Sequence, residues 1–296
     1  MFNNLNKIVG LANQKFTVLK EYSENFRLYN VGSFAVNRLV SNKGFKKIID
    51  IPYGENERHK FDLYRTEVPK PERPLIVFVH GGAWNAGDKK DYHFLGHAFV
   101  TEGYDVAIIN YRLAPENIFP AYVDDLVLAL EYLTDQQTEF GIECKNIILL
   151  GHSAGAFNIM SAIYYPHHMG GYKQQENIKA IIGLAGPYHF DYKDDPLCAN
   201  AFDQSISYKQ VMPYYFVEKN HIHHYLLMAD RDQIVADWNA VDLNEKLNEQ
   251  QNHSKIIVVP KTGHITIMGS VSSLFSPFFQ TKAEILSAID EALNKV

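Results

Sequence analysis

Residues 146–155 read NIILLGHSAG, and residues 156–165 continue as AFNIMSAIYY. An apolar run passes through Gly-His-Ser-Ala-Gly into a helix-compatible segment, the pattern of a buried strand turning sharply into a helix. A serine at such a turn needs small neighbours, because flanking side chains would collide there; Gly151 and Gly155 supply the room. Ser153 is thereby placed at the C-terminal end of a strand with a helix N-terminus behind it, where backbone N–H groups favour developing negative charge. The bland reading of G-x-S-x-G is a tight turn and nothing more. The strand–turn–helix context makes Ser153 the candidate nucleophile.

Working outward, further short apolar runs occur at Leu75–Val79, Val106–Asn110, Ala180–Leu184, Tyr225–Met228 and Ile256–Val259. They are rich in β-branched residues and apolar on both faces, as strands between two helix layers are. Helix-period segments alternate with them. Val123, Leu126, Val127, Leu130 and Leu133 mark one helix; Trp238, Val241, Leu243 and Leu247 mark another; Ile285, Ile289 and Leu293 mark a C-terminal one. The alternation predicts an α/β fold with a mostly parallel central sheet covered by helices on both faces. Lys46–Ile51 and Lys60–Tyr64 read as partly exposed strands, an antiparallel start to that sheet. Two regions break the rhythm: residues 1–45, read as an N-terminal helical extension, and residues 187–222, an aromatic-rich crossover. With no repeat and no Ser/Gly-rich linker, residues 1–296 are expected to form one domain, with both irregular regions roofing the sheet top.

Directly after the LIVFV strand comes His80-Gly81-Gly82-Ala83-Trp84. Paired glycines let backbone N–H groups approach a ligand closely, which acyl transfer needs for the oxyanion of its tetrahedral intermediate. Taken with YRLAPE at 111–116, GHSAG at 151–155, D-x-x-V at Asp232–Val235 and GHIT at 263–266, the sequence resembles the α/β-hydrolase family. Within it, the resemblance is to the hormone-sensitive-lipase-like esterase branch. The segment HGGAWNAGDKKDY is also similar to arylformamidases. The matches run in order along residues 75–270.

The resemblance implies a triad in the order serine, acid, histidine. Asp230 and Asp232 compete for the acid; Asp232 fits the D-x-x-V spacing and lies further into its loop. His264 follows the last strand and is the expected base, since imidazole takes and returns a proton near neutral pH. Its rival, His253, precedes that strand, at the wrong edge of a parallel sheet. Gly82, Ala83 and Ala154 are the implied oxyanion donors, Ala83 standing where the family has glycine. Trp84 and Tyr188 fall at strand ends and are the candidate substrate-pocket residues, although either could be plain core. Arg112 and Glu116 read as loop braces. His80 and His152 are expected to hold loops by hydrogen bonds.

Composition narrows the partners. Lys and Arg total 28 against 34 Asp and Glu, a formal charge of −6, with 46% hydrophobic and 21% charged residues. That is globular composition with no basic footprint for nucleic acid. The two cysteines, Cys144 and Cys198, are too few for a disulfide scaffold, although one bridge stays open. His167–His168 and His221-Ile-His-His224 lack carboxylate or cysteine at ligand spacing, so no metal and no cofactor are expected. No stretch reaches the ~18 apolar residues of a membrane span, and polar residues interrupt the N-terminus where a signal peptide would be apolar. The expected setting is cytoplasmic, with oligomeric state open. The function expected is a carboxylesterase acting on small to medium acyl esters. An arylformamidase is the nearest alternative, and a non-catalytic binding protein a more distant one.

Overall fold

The unbroken apolar run at 147–150 reflects a strand buried on both sides. Ile147 and Leu149 pack into one core, Ile148 and Leu150 into another, on the opposite face of the same sheet. The computed structural model describes residues 43–166 and 171–294, together with Asn37. The strands are β1 (Phe45–Pro52), β2 (Lys60–Thr66), β3 (Leu75–Val79), β4 (Asp105–Ile109), β5 (Ile147–His152), β6 (Ile178–Leu184), β7 (His223–Ala229) and β8 (His253–Val259). They form one sheet in the order β1-β2-β4-β3-β5-β6-β7-β8. β1 and β2 pair antiparallel, β2 joins β4 antiparallel, and every other pairing is parallel.

Among the described residues, the helices of two turns or more that cover the sheet are α1 (His93–Val100), α2 (Ala121–Asp135), α3 (Ala154–Tyr164), α4 (Trp238–Glu249) and α5 (Thr281–Asn294). Leu126 and Leu130 of α2, Phe157 and Met160 of α3, and Leu243 and Leu247 of α4 fill the core on one face. Phe94 and Phe99 of α1 and Ile285 and Ile289 of α5 fill the other. Because β3, β5, β6, β7 and β8 run parallel, the loops that follow them all emerge at one edge. No helix of the described residues is long and apolar enough to cross a membrane.

Two expectations need correction. β2 is not a partly exposed strand: Phe61, Leu63 and Tyr64 are fully buried, because β2 is flanked by β1 and β4 and backed by α1. Trp238 and Val241 do not belong to the buried stripe of α4, which is Ala240, Leu243 and Leu247. The crossover at 187–222 holds only short 3-10 turns, at Ala199–Ala201, Tyr208–Gln210 and Pro213–Phe216. Of the extension at 1–45, residues 1–36 and 38–42 lie outside the described residues, as do His167 and His168.

Candidate active site

Ser153 stands alone between β5 and α3, with φ +52° and ψ −120°. A non-glycine residue holds that backbone only where its surroundings enforce it. The Ser153 N–H donates to the Leu184 carbonyl at 2.9 Å, tying the turn to the end of β6. Behind it α3 starts so close to β3 that a side chain at Gly155 would strike the carbonyls of Val79 and His80. The Gly-x-Ser-x-Gly spacing is therefore a packing requirement as much as a chemical one.

The loops after β7 and β8 meet over this turn. Asp230 Oδ1 accepts the Thr262 N–H at 2.9 Å, and the Arg231 N–H donates to the Thr262 carbonyl at 2.9 Å. Asp230 is thus engaged in lacing the two loops together. Asp232 reaches the imidazole instead: His264 Nδ1 lies 2.8 Å from its Oδ2, and His264 Nε2 lies 2.9 Å from Ser153 Oγ. The D-x-x-V spacing has a direct cause, since Asp232 Oδ1 accepts the N–H groups of Ile234 and Val235, each at 2.9 Å. Burial pushes the Asp232 pKa up. The hydrogen bond and charge of His264, with the Val235 and Ile234 N–H groups, outweigh that and hold it below the usual carboxylate range. Ser153, His264 and Asp232 are all nearly closed to solvent. His253 begins β8 at the far edge of the sheet, 3.1 Å from Glu291.

Two histidines brace the backbone, as their motif positions suggest. His152 Nε2 donates to the His264 carbonyl at 2.8 Å. Full burial, then the nearby His264 charge, push the His152 pKa down to about 3, so the ring is neutral. His80 Nδ1 donates to the Gly81 carbonyl at 2.8 Å, while the Tyr111 hydroxyl donates to the His80 carbonyl at 2.9 Å. Arg112 is likewise a brace: its guanidinium forks onto Asp125 at 2.7 and 2.9 Å. Glu116 is exposed.

Beside Ser153 opens a cavity of about 350 Å³. Ala83 and Ala154 border it with the serine; Gly82 lies behind them, its carbonyl accepting the N–H groups of Asn85 and Ala86 at 3.0 and 3.1 Å. Ala83 and Trp84 have φ of +48° and +61°, so the loop holds two non-glycine residues in the left-handed region. Trp84 lines the cavity but is locked in place, with Nε1 donating to Asn158 Oδ1 at 2.8 Å and its rings packed on Phe157 and Phe202. Tyr188 does not border the cavity. It is buried under the sheet edge, beside a void of only about 10 Å³; its neighbours Pro187 and Phe190 face the cavity instead. Leu197, Ile234 and Trp238 also line the cavity, as do Asp191 and Asp195. No local motif marks Leu197 or Trp238; Ile234 lies within D-x-x-V. Asn158 could have been noticed as the single amide in an apolar helix.

The BD-FAE family model matches residues 61–247. The chain belongs to the BD-FAE family. Its curated relatives include a probable isoprenylcysteine alpha-carbonyl methylesterase of Oryza sativa subsp. japonica, 31% identical over 47% of this chain and 35% of the relative. A kynurenine formamidase of Danio rerio is 28% identical over 51% of each chain. The chain thus spans about half the length, or less, of these curated relatives. Among solved structures, esterase B of Lactobacillus rhamnosis superposes with a TM-score of 0.75 over 93% of this chain and 96% of that one, at 15% identity. That likeness shows the fold, the α/β-hydrolase fold.

Proposed function

We propose that this chain is a serine carboxylic-ester hydrolase acting on small to medium acyl esters. The observation that carries the reading is the continuous Ser153–His264–Asp232 hydrogen-bond chain, at 2.9 and 2.8 Å, opening onto a cavity of about 350 Å³. A serine hydroxyl is a weak nucleophile until a base takes its proton during attack. His264 Nε2 is within reach to do so, and Asp232, ionised and held by two backbone N–H groups, orients the ring and stabilises its cation. The substrate carbonyl carbon bonds to Ser153 Oγ, and the oxyanion is received by the N–H groups of Ala83 and Ala154, with Gly82 supporting the loop. His264 then protonates the leaving alcohol. In the second half, His264 takes a proton from water as the water oxygen bonds to the acyl carbon, then returns it to Ser153 Oγ as the carbon–Oγ bond breaks and the acid leaves. No cofactor enters these steps.

The cavity wall is largely apolar, with Trp84, Phe190, Leu197 and Trp238 around the serine, which suits an acyl chain. Similarity to a kynurenine formamidase keeps a second reading in view, cleavage of an aryl formamide by the same residues. The test is kcat/KM on p-nitrophenyl acetate, butyrate and octanoate and on N-formylkynurenine, for wild type and Ser153→Ala. An ester preference that vanishes in the variant supports the first reading; a formamide preference supports the second. Equal turnover by both proteins would overturn either.

A further inference from the structure

Tyr188 is fully buried, and its hydroxyl has no hydrogen-bond partner among the described residues. The oxygen lies over the backbones of Gly183 and Gly186, so close that a side chain at either glycine would strike it. Buried hydroxyls are normally paired, and an unpaired one points to a partner of another kind. Tyr188 borders the void of about 10 Å³, close to the smallest volume that holds one water molecule. Most of the void's wall is apolar, including Leu226, Ala236 and Ala240; Asp232 stands on the same wall.

The hydrogen-bonding inventory of Asp232 leaves one place open. A carboxylate has about four lone-pair sites. Oδ1 already accepts two N–H groups, from Ile234 and Val235, and Oδ2 accepts one, from His264. A buried water needs at least two polar partners, and Tyr188 as donor with Asp232 as acceptor supplies two. We infer that this void is a binding site for a single water molecule that accepts from the Tyr188 hydroxyl and donates to Asp232, making Tyr188 a positioning residue for the acid rather than a substrate contact.

The consequence is electrostatic. A water donating to Oδ2 draws off part of the carboxylate's negative charge and so tempers its hold on protonated His264. Removing the Tyr188 hydroxyl leaves the water with one partner and empties the site. The carboxylate then becomes a stronger acceptor and His264 more basic. The other titratable ring against His264 is His152, whose ring centre is 5.1 Å away and which stays neutral; Asp237 also borders the void.

The test is Tyr188→Phe, with crystal structures of both proteins. Wild type should show one water within hydrogen-bond distance of both Tyr188 and Asp232, absent from the variant. The acid limb of kcat/KM should move up by roughly half a pH unit, with KM unchanged across acyl lengths. A dry void in wild type, an unmoved limb, or a KM effect that grows with acyl length would each overturn the inference. The kinetic arm rests on the ester-hydrolase reading; the crystallographic arm does not. If no ester is hydrolysed, that reading fails and the crystal structures alone decide the water site.

Discussion

The imidazole of His152 holds the backbone of His264, its Nε2 donating to the His264 carbonyl at 2.8 Å while the two rings lie 5.1 Å apart. The residue before the proposed nucleophile thus fixes the proposed base. A displacement of about 1 Å at a reacting group costs on the order of a hundredfold in rate. His152→Ala should therefore lower kcat by tenfold to a hundredfold, by about that argument, with KM little changed. Steady-state kinetics on a short acyl ester would check it; a loss confined to KM would contradict the clamp.

The two aspartates should separate cleanly. Asp232→Asn removes the charge beside His264 Nδ1 and presents a donor in its place, an effect on the order of 10⁴ in kcat. Asp230→Asn weakens the tie to the Thr262 N–H. It should appear in melting temperature, with kcat close to wild type. The reverse ranking would exchange their roles.

Gly155→Ala forces a methyl group into the carbonyls of Val79 and His80. Overpacking of this kind costs about 1–3 kcal/mol, and here backbone must give way on both sides. The variant should melt well below wild type and lose activity together with the geometry of the turn. Wild-type stability would mean that α3 can retreat from β3.

Three fully buried histidines contribute to the acid sensitivity of the fold. Burial pushes His80 down to about 4 and His152 and His224 down to about 3, against 6.5 in the unfolded chain. Between those values the unfolded chain binds protons that the native protein does not, so stability falls as pH drops below 6.5. Urea unfolding between pH 4.5 and 6.5 should report an uptake of roughly three protons from these rings. His224→Gln should reduce that slope by about one proton. A flat profile in this window would refute it.

Leu197 faces the cavity from the crossover, while its backbone is held by Asp195 and Asn85. Leu197→Trp fills space without breaking those bonds. The expected result is about a tenfold fall in kcat/KM for an octanoate ester and little change for acetate. A uniform fall across chain lengths would place Leu197 outside the acyl path.

Much of this was legible in the sequence because local physics dictates it. The run at 147–150 had to be apolar on both faces to lie between two helix layers, and Gly155 had to be small to let α3 start against β3. Asp232 could be favoured over Asp230 because its spacing to Val235 reflects a real hydrogen bond. Tyr188 could not be placed, since its position after β6 is compatible with facing either the cavity or the core. Which way it turns depends on the room over Gly183 and Gly186, where its hydroxyl lies. Leu197 was equally hidden, in a crossover with no periodicity of its own, whereas Trp238 fits the helix period of the buried stripe although its side chain is exposed.

The most direct test is stoichiometric labelling with a p-nitrophenyl phosphonate ester, followed by peptide mass mapping. The account predicts one adduct per chain, on Ser153, forming in step with loss of ester hydrolysis and absent from Ser153→Ala. Labelling of another residue, or full hydrolysis by a protein fully labelled at Ser153, would contradict it.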